Sequence, residues 1–175
     1  MLTRCIFLLT LGVGACATPA RHPQTVASVD LRRYAGEWHE AARYVNDFED
    51  AWRQRCVNVN ATYTLQPDGK FRIRNTCSDV LKGGREEISE GWGRAADVSG
   101  SKLHVTFFRP FSADYWIIGL DENYQWAVVG SPSRRYLWIL SRTPTLSAED
   151  YACAERVAAA QGFDTTKLVK TPPQT

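Results

Sequence analysis

The sequence predicts an all-β fold: an eight-stranded antiparallel up-and-down barrel with a C-terminal α-helix packed outside. Three observations carry this. Short segments of period-2 hydrophobicity follow one another, separated by turn residues. The period changes once, after Ser147, to an alanine-rich helical stretch. An open sheet of so many strands would leave two bare edges, and closure removes them. A closed sheet of this size encloses room for one small ligand, so the architecture itself implies a container.

The chain begins with a segment to be set apart from the fold. "MLTRCIFLLTLGVGAC" has one positive charge, Arg4, an apolar run from Cys5 to Val13, then small residues and Cys16. The run is too short to span a bilayer as a mature helix. Val13-Gly14-Ala15-Cys16 resembles a bacterial lipobox, which implies a signal peptide over 1–15 and a diacylglyceryl thioether on Cys16. Several acyl chains anchor stably where one would not. Ala17, in place of an aspartate, points to the outer membrane, with the domain on its periplasmic face. Residues 16–28 are small, polar and Pro-containing, the composition of a flexible tether.

The strands come next. "EWHEAARY" (37–44) is the first, and its alternation is loose. "CVNVNATYTL" sets Val57, Val59, Ala61 and Tyr63 on one face, and "QPDGK" is a hairpin turn. "KFRIRN" returns with Phe71, Ile73 and Asn75 on one face. "REEISEGWGRA" is a weaker strand. "KLHVTFF" carries Leu103, Val105 and Phe107 on one face, and "DYWIIGL", "YQWAVVG" and "RYLWILSR" complete the set. Ser147 is a suitable N-cap for "AEDYACAERVAAAQ", with Glu149 and Asp150 in the first turn and Gly162 as the stop. "TKLVK" adds a short last strand, and 171–175 form a disordered tail.

With the strands placed, a family resemblance emerges. "VDLRRYAGEWHEAARYVNDFE" resembles the opening of a lipocalin, with its short helical turn and G-x-W element. "GLDENYQWAVV", with Asp121 central, is similar to the second lipocalin block, and "YLWILSRTP", ending in Arg142, to the third. With the lipobox, the chain resembles the bacterial outer-membrane lipoprotein lipocalins, relatives of apolipoprotein D, over residues 29–170. His39 stands where that family has tyrosine, and alternation sends it to the outer surface. The resemblance implies that Arg142 stacks on Trp38 and closes the barrel floor, a structural pair rather than a ligand contact. By alternation and family register together, the pocket lining is Val57, Val59, Ala61, Tyr63, Phe71, Ile73, Asn75, Leu103, Val105, Phe107, Tyr115, Ile117, Tyr136 and Trp138. Tyrosine hydroxyls and Asn75 are there to meet a polar head. The first long loop, with Phe48, Trp52, Arg53 and Arg55, folds over the mouth in lipocalins, and "FRPFSADY" is a second mouth loop.

The remaining cysteines, Cys56, Cys77 and Cys153, sit in an exported chain that permits disulfides. Cys56–Cys77 is favoured because the two flank one hairpin nearly symmetrically, although simple alternation puts them on opposite faces and demands a bulge. Cys56–Cys153 is the rival. Net charge is +2 with scattered basic residues, which speaks against nucleic acid as a partner. His22, His39 and His104 lie in the tether or on outward positions, no nucleophile or metal motif occurs, and Asp121 suits a turn. The acidic group Glu86, Glu87 and Glu90 is a solvated strand face. No cofactor, metal or catalytic residue is expected. The expected function is reversible binding, storage or transport of a fatty acid or lysophospholipid by a monomer or weak homodimer. A lipid-modifying enzyme on the same fold would need an inward-facing acid/base pair, and an envelope structural protein would have a filled barrel.

Overall fold

The computed structural model describes residues 21–47, 49–50 and 54–172. A short helix, α1 (Leu31–Tyr34), is capped by Asp30, whose side chain accepts from the amides of Arg32 and Arg33. The strands follow as a meander: β1 (Gly36–Tyr44), β2 (Cys56–Leu65), β3 (Phe71–Asp79), β4 (Arg85–Ala95), β5 (Lys102–Phe108), β6 (Phe111–Leu120), β7 (Trp126–Gly130) and β8 (Leu137–Ser141). Each pairs antiparallel with the next, and β8 returns to β1 to close the barrel. The β1–β2 ladder runs only from Gly36–Tyr63 to His39–Asn60. Beyond it, β9 (Leu168–Lys170) takes the open edge of Ala42–Tyr44.

Helix α2 (Ala148–Ala160) starts at Ser147, whose hydroxyl accepts from the Asp150 amide. It lies outside the barrel on β6, β7 and β8, so the wall has two apolar sides. Trp38, Tyr63, Phe71, Leu103, Ile117, Ala127 and Val129 pack inside it. Ile118, Trp126, Val128, Leu137 and Ile139 pack outside, against Ala154, Ala158 and Phe163. All five residues of β7 are buried. The helix comes close because β6 carries Gly119, where an added Cβ would stand 2.6 Å from Val157 Cγ1 and 3.2 Å from Val128 Cγ2. Gly119→Ala is therefore expected to cost about 1–3 kcal/mol through overpacking, read as a lower urea midpoint. An unchanged midpoint would show that α2 can shift freely.

Bulges interrupt the alternation on which the face assignments rest. In β2 the register steps from Val57–Ser78 to Asn60–Thr76, with Asn58 at φ 53°. The extra residue turns Cys56 to the side of Cys77, and the two form a disulfide with Cα atoms 5.4 Å apart. That bond rules out pairing of Cys56 with Cys153. The same bulge corrects the reading of Val57, which shares the outer face with Ser78 instead of facing the interior. In β1 the register steps between Glu40–Leu140 and Ala42–Ile139, so Glu40 and Arg43 both turn inward.

The segment expected to be a free tether is bound down from His22 onward. His22 Nδ1 donates to the Pro132 carbonyl (3.2 Å), the Val26 amide to Ile117 O (3.0 Å) and the Val29 amide to Ser99 O (2.8 Å). At the other end Thr171, assigned above to the tail, is 9% exposed and hydrogen-bonded to β1. The signal peptide, Cys16, Phe48, Trp52, Arg53 and residues 173–175 lie outside the described residues.

Candidate functional site

The two ends of the barrel differ in kind. The floor end carries α1 and the turns after β2, β4 and β6; the mouth end carries those after β1, β3, β5 and β7. At the floor, Trp38 is fully buried and its Nε1 donates to Tyr34 O at 2.8 Å. The Arg142 guanidinium stacks 3.8 Å from the Trp38 ring centre. It also donates to the carbonyls of Glu37 (2.7 Å), Arg33 (2.7 Å), Tyr34 (3.1 Å) and Ala35 (3.0 Å). Three of these carbonyls belong to α1 and its C-cap and the fourth, that of Glu37, to the start of β1, so one cation satisfies what the short helix leaves unpaired. Gly36 makes this possible, with φ 99° and its Cα facing Arg142 Nη1 where a Cβ would sit 3.3 Å away.

Above the floor, the interior is packed solid. Tyr34, Tyr63, Phe71, Ile73, Leu103 and Ile117 are each at most 5% exposed. Tyr115 Oη lies 2.7 Å from Tyr34 Oη and accepts from Tyr63 Oη at 3.1 Å. Burial pushes the Tyr63 hydroxyl up to about 12, and burial raises Tyr34 and Tyr115 well above the ordinary phenol, so all three stay neutral. The hydroxyls of Tyr63 and Tyr115 thus hold each other. The sequence reading offered them to a ligand head group; the structure makes them part of the floor.

The mouth half is different. Val59, Asn75, Phe107, Tyr136 and Trp138 are only partly buried there, and Val105 is 9% exposed; Ala61, also half-buried, stands opposite Trp38 in the β1–β2 ladder, at the level of the floor. Tyr136 and Trp138 stack with ring centres 5.9 Å apart and planes inclined by 16°. Ser89 and Gly91, cross-strand from Asn75 and Ile73, share this inner face. Gly91 leaves the space that the Phe107 ring enters, 2.7 Å from where a Cβ would stand. Asn75 Oδ1 is buried and takes no hydrogen bond from the described residues. The result is an apolar and aromatic cup, with one orphan polar atom in its wall.

Sequence reasoning missed a buried ionic group at the mouth. Arg43 is 4% exposed and forks onto Asp50, with Nη2 to Oδ1 at 2.6 Å and Nε to Oδ2 at 2.9 Å. Its Nη1 donates to Glu40 Oε1 at 2.6 Å, Nη2 to the Cys56 carbonyl at 3.1 Å, and Nε lies 3.2 Å from Glu49 Oε2. Trp138 Nε1 donates to Glu49 Oε1 at 3.1 Å, and the Thr171 hydroxyl donates to Glu40. Burial raises Glu40 well above the usual carboxylate range, and the Glu49 charge adds to this against Arg43. Burial works against the Asp50 charge too, but the Arg43 bonds outweigh it and hold that carboxyl below its ordinary value. An inward pair of carboxyls therefore exists, where the sequence reading placed none. Its atoms are bonded to Arg43, Thr171 and Trp138, an arrangement that ties the loop after β1 to the barrel wall. Asp121 also behaves structurally, its Oδ2 accepting from the amides of Asn123 (2.9 Å) and Gln125 (3.1 Å).

Comparison with known proteins agrees with this geometry. The family model described as a Lipocalin-like domain matches residues 29–173. The chain is 39% identical over 160 residues to the outer membrane lipoprotein Blc of Escherichia coli K12, covering 90% of this chain and 88% of that one. It is 35% identical over 164 residues to temperature-induced lipocalin-1 of Arabidopsis thaliana, covering 89% and 85%. Lobster apocrustacyanin A1 superposes with a TM-score of 0.67 at 21% identity, over 88% of this chain and 91% of that one. A closed eight-stranded meander, a floor sealed by a tryptophan–arginine stack, an outer helix and a match over nearly the whole folded chain place this protein in the lipocalin family.

Proposed function

We propose that this lipocalin binds a single-chain lipid, a fatty acid or a lysophospholipid, reversibly and without catalysis, while acyl chains on Cys16 hold it to the outer membrane. The supporting observation is the half-buried inner face toward the mouth, where Val59, Phe107, Tyr136 and Trp138 present apolar and aromatic surface. A long apolar chain gains about 25 cal/mol for each Å2 it removes from water there. The orphan Asn75 Oδ1 is an acceptor set into that wall, suited to a hydroxyl or ammonium donor on the ligand. The fatty-acid or lysophospholipid choice, the outer-membrane site and the acylation of Cys16 follow from sequence resemblance, and the kinship with Blc, named an outer membrane lipoprotein, supports the last two.

Native mass spectrometry of the purified protein, followed by delipidation and titration with a fluorescent fatty acid and a fluorescent lysophospholipid, tests this. Saturable one-to-one binding with ligand recovered intact is the expected result. No binding after delipidation would mean a filled barrel, and a chemically altered ligand would mean an enzyme; either overturns the proposal.

A further inference from the structure

Five of the nine large hydrophobic side chains that stand exposed among the described residues, Val45, Val80, Leu81, Phe108 and Phe111, are on the mouth rim. Phe108 and Phe111 are cross-strand neighbours at the tip of the β5–β6 hairpin, 74% and 76% exposed, with Arg109 in the turn between them. The hairpin runs past β7, while on its other side β4 continues from Gly91 to Arg85 beyond its last pair with β5, Trp92–Thr106. Trp116 pairs with Gly130, the last residue of β7, so the five residues Phe111–Tyr115 run on beyond that strand. At about 3.3 Å per residue the overhang is roughly 16 Å along the strand.

The N-terminal chain enters the described structure at this same end. The Arg21 carbonyl accepts from Arg134 Nη1 at 3.3 Å, and His22 reaches Pro132 O at 3.2 Å; Pro132 and Arg134 belong to the turn between β7 and β8. Five peptide steps separate Cys16 from Arg21. Fully extended, they reach at most about 17 Å. A tether this short leaves the barrel from the mouth end. A floor-down barrel does not fit: the wall includes the 11-residue β4, and at a tilt near 40° such a strand stands roughly 25 Å tall, more than the tether spans.

We propose that the mouth rim is a membrane-docking surface. Phe108 and Phe111 seat in the head-group layer of the phospholipid bilayer that anchors Cys16, with Val80 and Leu81 exposed on the same rim. Arg109 is placed to lay its stem along that layer and its cation against lipid phosphate. Ligand then passes between bilayer and cup without crossing open water. This inference rests on the reading of Cys16 as the anchor.

The test uses the full acylated chain in vesicles of phosphatidylethanolamine and phosphatidylglycerol that carry a photoreactive diazirine near the glycerol backbone. After illumination, peptide mapping locates the lipid adducts. Adducts are expected on the peptide holding residues 108–111 and not on the floor loop holding Val98, which is fully exposed and so an equal target on chemical grounds. The double variant F108S/F111S should lower vesicle labelling about fivefold or more, with solution affinity for the fluorescent lysophospholipid within about twofold. Equal labelling of the Val98 loop, or unchanged labelling of the double variant, overturns the docking surface. An unacylated Cys16 removes the anchor and overturns it as well. Absence of solution binding in both proteins would instead overturn the proposed function, because the labelling pattern does not depend on it.

Discussion

Arg43→Met is expected to destabilise the domain by about 3–5 kcal/mol, the cost of leaving buried carboxyls without their cation. At roughly 2–4 °C per kcal/mol for a domain of this size, the melting temperature should fall by about 10 °C. Methionine roughly preserves volume, so the loss would come from charge: Asp50 loses its bidentate partner, Glu49 its nearest cation and the Cys56 carbonyl its donor. The pH profile makes the test specific. Asp50 is held below its ordinary pKa, so its contribution to stability is complete above the unfolded value of about 3.9 and is lost as pH falls through the folded value. In the Arg43→Met variant that acid limb should flatten. Glu40, raised by burial, acts in the opposite sense: it costs stability as pH rises above about 4.3. Thermal unfolding followed by circular dichroism from about pH 2 to about pH 8 reads both limbs. A loss under about 1 kcal/mol, or an unchanged acid limb, would mean that the group is solvated and not holding the loop.

Trp38→Ala is expected to cost a similar 3–5 kcal/mol, because it empties a fully buried site between Tyr34 and Arg142. The desolvated stack with Arg142 adds on the order of 1–2 kcal/mol to what is lost. Trp38→Phe separates the parts, since it keeps a ring under the guanidinium and removes only the Nε1 donor to Tyr34 O. Its cost should be smaller, about 1–2 kcal/mol. Neither variant should change the order in which ligands are preferred, because Trp38 lies below the tyrosine floor and out of the cup. Unchanged melting with an altered ligand spectrum would contradict this placement.

Much of the fold was legible because hairpin strands announce themselves by period and by turn residues. The meander, the outer helix with its Ser147 cap, and the pairing of Trp38 with an arginine from the far end of the chain all follow from local pattern or from the three family blocks. What escaped sits at the bulges, where one extra residue reverses every face assignment beyond it. Unbroken alternation through Asn58 and Val59 puts Val57 inward, and the bulge in β2 turns it out. Glu40 and Arg43 escaped for the same reason: three apart in a regular strand they would face opposite sides, and the extra residue at Ala41 brings them to one. The signal was present in the loose alternation of "EWHEAARY", and in the need of Cys56 and Cys77 for a phase shift if they were to meet. Whether a tyrosine hydroxyl is available or already taken is a tertiary fact that strand alternation does not carry, as with Tyr63 and Tyr115.

The wall around the cup is uneven. Strand β7 has apolar matter on both sides, with the interior packing against Ala127 and Val129 and helix α2 backing Val128. Across the barrel, β3 and β4 have solvent on their outer face, where Arg72, Glu90 and Trp92 stand exposed. Opening the barrel on the β7 side means breaking two packed interfaces at once, whereas the β3–β4 side yields by bending one sheet layer against water. The container therefore has a hard back and a soft front. If the cup takes ligands of different girth, the strands that no helix braces are the ones expected to flex, with the helix-backed wall as the fixed reference.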